Sequence, residues 1–197
     1  MPTKKKESRY SWLLFFVPLL ILSLAVAVPL ISDSLGGNQG RLDVVATAYP
    51  YHESPISLIV QAEVNGTIVT TPDVLHLVAG YYAVEFPVQD GYTSPATKTA
   101  VVPAGVTATV VGSYYPIKKV IGFTEGYTNA TRVSAIHGVT PVSWLNLSSQ
   151  AVTLQSDFFG QLPIQPGENA TMVFSQPGSY TWWVYTDKNV TGLITVS

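Results

Sequence analysis

The chain has 197 residues, 47% of them hydrophobic and 11% charged, with a net charge of -2. That length leaves room for one or two small domains, and so apolar a composition excludes a disordered polymer. The slight acidic balance excludes the broad basic footprint of a nucleic-acid binder, and the absence of cysteine excludes disulfides and every thiolate-bound metal.

Charge is concentrated at the start. Lys4, Lys5, Lys6 and Arg9 hold four of the ten basic residues. Trp12 to Ser32 then carries no charge, and about twenty residues at ~1.5 Å rise span a ~30 Å hydrocarbon core. The pattern predicts a basic cytoplasmic tail over 1–11 and a transmembrane helix over 12–32. The basic flank puts the tail inside and everything after Ser32 outside. A cleaved signal peptide ending near Ala25-Val26-Ala27 is the competing reading. The apolar run continues through Val28, Pro29, Leu30 and Ile31, which favours an uncleaved anchor.

Asparagine usage points to the same side of the membrane. Five of the six asparagines open an N-x-[ST] triplet without proline: Asn65, Asn129, Asn146, Asn169 and Asn189. One such triplet says little, but this enrichment predicts a glycosylated exterior surface. The alternative is that Asn, Gly, Ser and Thr simply crowd into β-turns. An external chain without disulfides but with N-glycans suits an archaeal cell envelope.

Residues 33–40 (DSLGGNQG) read as a polar, Gly-rich linker. No helical periodicity follows. Strand signals dominate, with β-branched and aromatic runs broken by Gly, Pro and Asn. Strands are expected over Leu42 to Tyr49, Ile56 to Glu63 and Thr67 to Thr70. Asn65-Gly66 is the turn of a hairpin, since both central residues of a type I′ turn need positive φ. The segment from Thr70 to Phe86 continues the pattern, with Gly80 as its turn. Gln89 to Tyr92 is a further turn. Strands over Lys98 to Val102 and Val106 to Tyr114 flank Pro103-Ala104-Gly105.

The V-N-G-T, T-P-x-x-L-x-L-x-x-G-Y-Y-x-V and D-G-Y runs between 41 and 116 resemble a PEGA-type small surface β-sandwich. The short motif that names that family is missing. The resemblance implies a spacer or interaction module and carries no catalytic residues.

A second domain is expected over 117–197. Val120 to Glu125 and Arg132 to Ile136 open it, and His137 to Pro141 turns into Val142-Ser143-Trp144. From there the chain offers V-x-W-x-N, a phenylalanine pair, a P-G turn, an apolar strand, a P-G-x-Y turn and a closing G-x-I-x-V strand. This order resembles the C-terminal half of a cupredoxin of the plastocyanin type. In that family the copper ligands are a His, a Cys, a second His and a Met. The resemblance places those four positions on Gln150, Val184, Asp187 and Val190. A blue-copper site needs a thiolate and two imidazoles, so the resemblance implies a cupredoxin shape without copper.

Other chemistry finds no support. His52, His76 and His137 share no ligand spacing, and Asp187 with Gln150 is too small a donor set for a hard cation. No nucleophile elbow, carboxylate pair or phosphate loop is present. The aromatics are more informative. Strict alternation puts Tyr180, Trp182 and Val184 on one face of a strand and Thr181, Trp183 and Tyr185 on the other. The first face fills a core. The second exposes Trp183 and Tyr185 as interface residues, with Phe158 and Phe159 as a further apolar pair on a loop near the emptied site.

The sequence thus predicts an all-β ectodomain of two tandem β-sandwich domains, the second a cupredoxin-like Greek key, after one N-terminal transmembrane helix. The expected function is non-catalytic, with no cofactor: a glycosylated, single-pass membrane protein serving as an interaction or assembly module for other envelope or membrane-complex proteins. The alternative is an accessory subunit of a membrane respiratory oxidase, analogous to the copper-free subunit II of quinol oxidases.

Overall fold

A computed structural model describes residues 38–197. The expected basic tail and transmembrane helix lie outside the described residues, as does most of the linker. No helix among the described residues is long and apolar enough to cross a membrane. The described chain is all-β, with sixteen strands.

By contacts these residues form two units. The first holds the described residues up to Ala46, Leu58–Pro87 and Ala96–Gly112. The second holds Thr47–Ser57, Val88–Pro95 and Ser113–Ser197. The division therefore differs from a single cut after residue 116. Backbone bonds explain the assignment of the 88–95 loop: Ile117 N–H donates to the Gly91 carbonyl at 2.7 Å, and Thr93 N–H to the Tyr115 carbonyl at 2.8 Å.

Residues 39–114 form two four-stranded sheets. In one, β1 (Gln39–Ala48) pairs with β2 (Ile56–Leu58), β5 (Asp73–Val78) and β8 (Thr107–Tyr114). The other has the order β4 (Thr67–Thr70), β3 (Gln61–Val64), β6 (Gly80–Glu85), β7 (Lys98–Val102). Alternation is strict along β1, where Leu42, Val44, Ala46 and Ala48 are all buried. Asn65 and Gly66 both take positive φ, 47° and 83°, and close the β3–β4 hairpin between Val64 and Thr67. Phe86 lies over Gly112 of β8, where any Cβ would run into its ring.

Three expectations need correction here. The linker is shorter than 33–40, because Gln39 and Gly40 already pair with Val78 and Leu77. The strand expected over Ile56 to Glu63 is broken at Ile59–Val60. Buried Thr71 fills the break: it accepts from Val60 N–H at 3.0 Å and donates to the Leu58 carbonyl at 2.8 Å. Gly80 is not a hairpin turn. The chain changes sheets at Ala79, since β5 pairs with β1 whereas β6 pairs with β3 and β7.

The second unit also has two sheets. The larger has the order β10 (Arg132–Ala135), β16 (Thr191–Val196), β15 (Gly178–Val184), β12 (Val152–Ser156), β13 (Gly160–Ile164). The smaller runs β14 (Asn169–Val173), β11 (Pro141–Asn146), β9 (Lys119–Phe123). One apolar cluster joins them: Ile121, Phe123, Val142, Trp144 and Phe174 from the smaller side, and Leu154, Ile164, Trp182, Val184 and Ile194 from the larger. Trp144 and Trp182 meet edge-to-face at 6.5 Å in its middle. Both indole N–H groups are buried without an acceptor. An unmet donor costs about 1–3 kcal/mol, so the large ring surfaces must outweigh it.

Candidate functional site

Strand directions fix which loops share an end of the second unit. β15 ends at Val184 and leads into loop 185–190. β12 runs antiparallel to β15, so loop 147–151 enters at the same end. β11 finishes there at Asn146, parallel β9 finishes beside it, and antiparallel β14 starts there at Asn169. Loops 124–131 and 165–168 therefore join the same end. Gln150, Val184, Asp187 and Val190, the four positions on which the resemblance places copper ligands, all belong to this end of the second unit.

Asn146 organises it. The residue is fully buried, and its side chain satisfies its whole hydrogen-bonding capacity. Nδ2 donates to the Gln150 carbonyl at 2.7 Å and to the Ile164 carbonyl at 2.9 Å. Oδ1 accepts from Ser148 N–H at 2.9 Å and lies 2.6 Å from Ser148 Oγ. On the main chain, Asn146 N–H donates to the Glu168 carbonyl and Gly167 N–H donates to the Asn146 carbonyl. One side chain and its backbone thus tie loops 147–151 and 165–168 together.

These four positions offer no donor set for copper. Val184 is fully buried and Val190 is 3% exposed, and both belong to the apolar core. Gln150 is exposed, and its carbonyl already accepts from Asn146. Asp187 Oδ1 accepts from Asn189 N–H at 3.0 Å, which closes a turn. Val184 N–H donates to the Val190 carbonyl at 2.8 Å, so the loop is pinned at its neck. Two valines, a turn-capping carboxylate and a solvent-facing amide do not fit a copper centre.

The histidines are scattered. His52 sits edge-to-face on Tyr51, His76 is exposed on β5, and His137 Nδ1 lies 2.9 Å from the Ser197 carbonyl oxygen. Among the described residues no three His, Cys, Asp or Glu side chains are grouped to hold a metal. In the second unit two tyrosines carry the perturbed acidities. Burial pushes the Tyr114 hydroxyl above its ordinary value, and burial followed by the Glu53 charge does the same for Tyr92. Their rings meet edge-to-face at 6.2 Å.

On β15 the alternation reads as expected. Trp182 and Val184 are buried, Trp183 is half-buried and Tyr185 is 55% exposed. Trp183 stands between Gln155 and Thr191 on the neighbouring strands.

Phe158 and Phe159 do not lie near those four positions. Their turn connects β12 to β13, and Ser156 is already opposite Trp182. The turn therefore lies toward the start of β15, roughly 13 Å of strand from Val184 at ~3.3 Å per residue. Phe158 packs on Tyr180 at 4.9 Å and Phe174 at 5.1 Å, although half of it remains exposed. Phe159 is half-buried, packs on the core and has its ring 5.4 Å from that of Trp144.

The five sequon asparagines divide as well. Asn65, Asn129, Asn169 and Asn189 are exposed. Asn146 is not, and both of its amide hydrogens are donated inside the protein, so the folded unit has no room for a glycan there. Sequence reasoning missed this bracing role. The available signal was the position of Asn146 at the last residue of a strand with Trp144 in it, where inward residues dominate.

No family model matches the sequence, and no curated protein is similar to it. Solved structures that resemble it include a purple cupredoxin from Nitrosopumilus maritimus, 23% identical, covering 40% of this chain and 99% of that chain with a TM-score of 0.36. An amicyanin variant in the Cu(I) form is 14% identical, with 41% and 82% covered and a TM-score of 0.36. An oxidised amicyanin variant is 14% identical over the same shares, with a TM-score of 0.37. The likeness is one of β fold over part of the chain.

Proposed function

We propose that this chain is a non-catalytic, glycosylated protein of the cell exterior, anchored by its N-terminal segment. Its second unit keeps a cupredoxin-like shape without copper and works as an interaction or assembly module for other envelope or membrane-complex proteins. The first, PEGA-like unit serves as a spacer.

The observation that carries this reading is the outward face of β15 and the residue just past it. Tyr185 is 55% exposed beyond Trp183, while the valines at two ligand positions fill the core. Large amphipathic rings on a rigid strand suit a binding anchor, because few torsions need to be fixed on association. The loss of ligand chemistry also leaves the scaffold with shape rather than redox work to offer.

The test is photo-crosslinking in native membranes from a benzoylphenylalanine placed at position 185. The reading expects a discrete protein adduct that is lost on Trp183→Ala. Haem in the captured complex favours the respiratory-oxidase form of the proposal, and envelope proteins favour the assembly form. Absence of any protein adduct, with the label incorporated and the protein folded, contradicts both.

A further inference from the structure

The sequons of the second unit are spread over sixty residues of sequence, yet topology gathers them at one end. Asn129 lies in loop 124–131, Asn169 opens β14 after loop 165–168, and Asn189 lies in loop 185–190. The strand directions described above bring all three loops to the end organised by Asn146. Loops 136–140, 157–159 and 174–177 occupy the opposite end, and none holds a sequon.

The three side chains share one chemical arrangement. Each is exposed, and its Nδ2 makes no hydrogen bond within the described residues. Asn129 uses Oδ1 to accept from Gly122 N–H at 2.9 Å. Asn169 uses Oδ1 to accept from Thr171 Oγ1 at 3.2 Å and from Ser143 Oγ at 3.3 Å. Asn189 is held through its own N–H on Asp187. The oxygen or the backbone anchors each residue while the amide nitrogen stays open to solvent. Asn146, in the middle of the same end, is the reverse: its nitrogen is the buried, doubly donating atom.

We infer that Asn129, Asn169 and Asn189 carry N-glycans that crown the end of the second unit where a cupredoxin would hold its copper, and that Asn146 carries none. This inference rests on the exterior, glycoprotein reading above. The donor class is an oligosaccharide linked to a polyprenyl phosphate. A bond forms between Asn Nδ2 and the sugar C1, the C1–O bond to phosphate breaks, and the lipid phosphate leaves. The amide loses one proton to solvent, with no net oxidation or reduction.

Glycopeptide mass spectrometry on the full chain purified from its native membrane tests the inference. The expected result is modified Asn129, Asn169 and Asn189 peptides, with the Asn146 peptide bare. Sugar on Asn146 in the folded protein overturns it. So does a modified Asn65 with Asn129, Asn169 and Asn189 bare, a result that leaves the exterior glycoprotein reading intact. Five bare sequons overturn that reading and the inference together. As a second readout, a triple variant with Asn129→Gln, Asn169→Gln and Asn189→Gln is expected to lose three glycans in mass, and an unchanged mass overturns the inference.

Discussion

The side-chain amide of Asn146 donates to the carbonyl of Gln150 at 2.7 Å, so a buried sequon asparagine holds loop 147–151 in place. The same nitrogen reaches the Ile164 carbonyl at 2.9 Å. One amide nitrogen thus braces this end of the second unit at two carbonyls.

Asn146→Ala removes both donations, to the Gln150 and Ile164 carbonyls. Two lost buried hydrogen bonds cost about 1–3 kcal/mol together. The variant should melt on the order of 10 °C lower, given about 4–8 °C per kcal/mol for a domain of this size. Tryptophan fluorescence follows the transition, since three of the four tryptophans, Trp144, Trp182 and Trp183, lie in the second unit. An unchanged melting temperature contradicts the bracing role.

Val184 and Trp183 are neighbours in sequence with opposite environments. Val184→Asp places a lone carboxylate in the apolar core, at a penalty of several kcal/mol, and should unfold the second unit. Trp183→Ala should leave its melting temperature within a few degrees. Thermal unfolding of the pair decides the faces: equal destabilisation reverses the assignment of β15.

Gly192 faces the Trp182 indole, where a Cβ would stand 2.6 Å from Nε1. Gly192→Ala must displace that ring from its seat beside Phe123 and Trp144. Overpacking of this kind costs about 1–3 kcal/mol. Near-ultraviolet circular dichroism should lose intensity in the tryptophan bands, and an unchanged spectrum contradicts the packing.

Tyr114 and Tyr92 both ionise above the ordinary value of 10.0 in the folded state, because burial disfavours the phenolate. The unfolded chain therefore releases these protons first. Their contribution is intact below pH 10, falls as pH rises through the folded values, and levels off above them. Melting temperature should decline from about pH 10 upward, less steeply in Tyr114→Phe. A decline of equal slope in that variant contradicts the assignment.

Legibility in the sequence followed the range of the physics involved. The Asn65-Gly66 hairpin was readable because positive φ at two successive positions is a local demand, and both residues meet it. The two faces of β15 were readable because period-two alternation is also local. The break at Ile59–Val60 was not, since its cause is Thr71, eleven residues on from Val60. The sheet change at Ala79 depends on which partners β5 and β6 find, which their own residues do not state. Asn146 reads as a glycan site in a triplet and becomes a brace only when Ile164 is brought beside it. Phe159 reads as a loop residue until the β12–β13 turn aims it at Trp144.

The central claim is that the second unit works by binding another protein through the outward face of β15. It is tested most directly by quantitative recovery of partner from native membranes, comparing wild type with Trp183→Ala and Tyr185→Ala under matched melting temperatures. A hot-spot ring contributes ~2 kcal/mol, so each variant should recover partner with about thirty-fold weaker affinity while staying folded. Equal recovery by wild type and both folded variants contradicts the account.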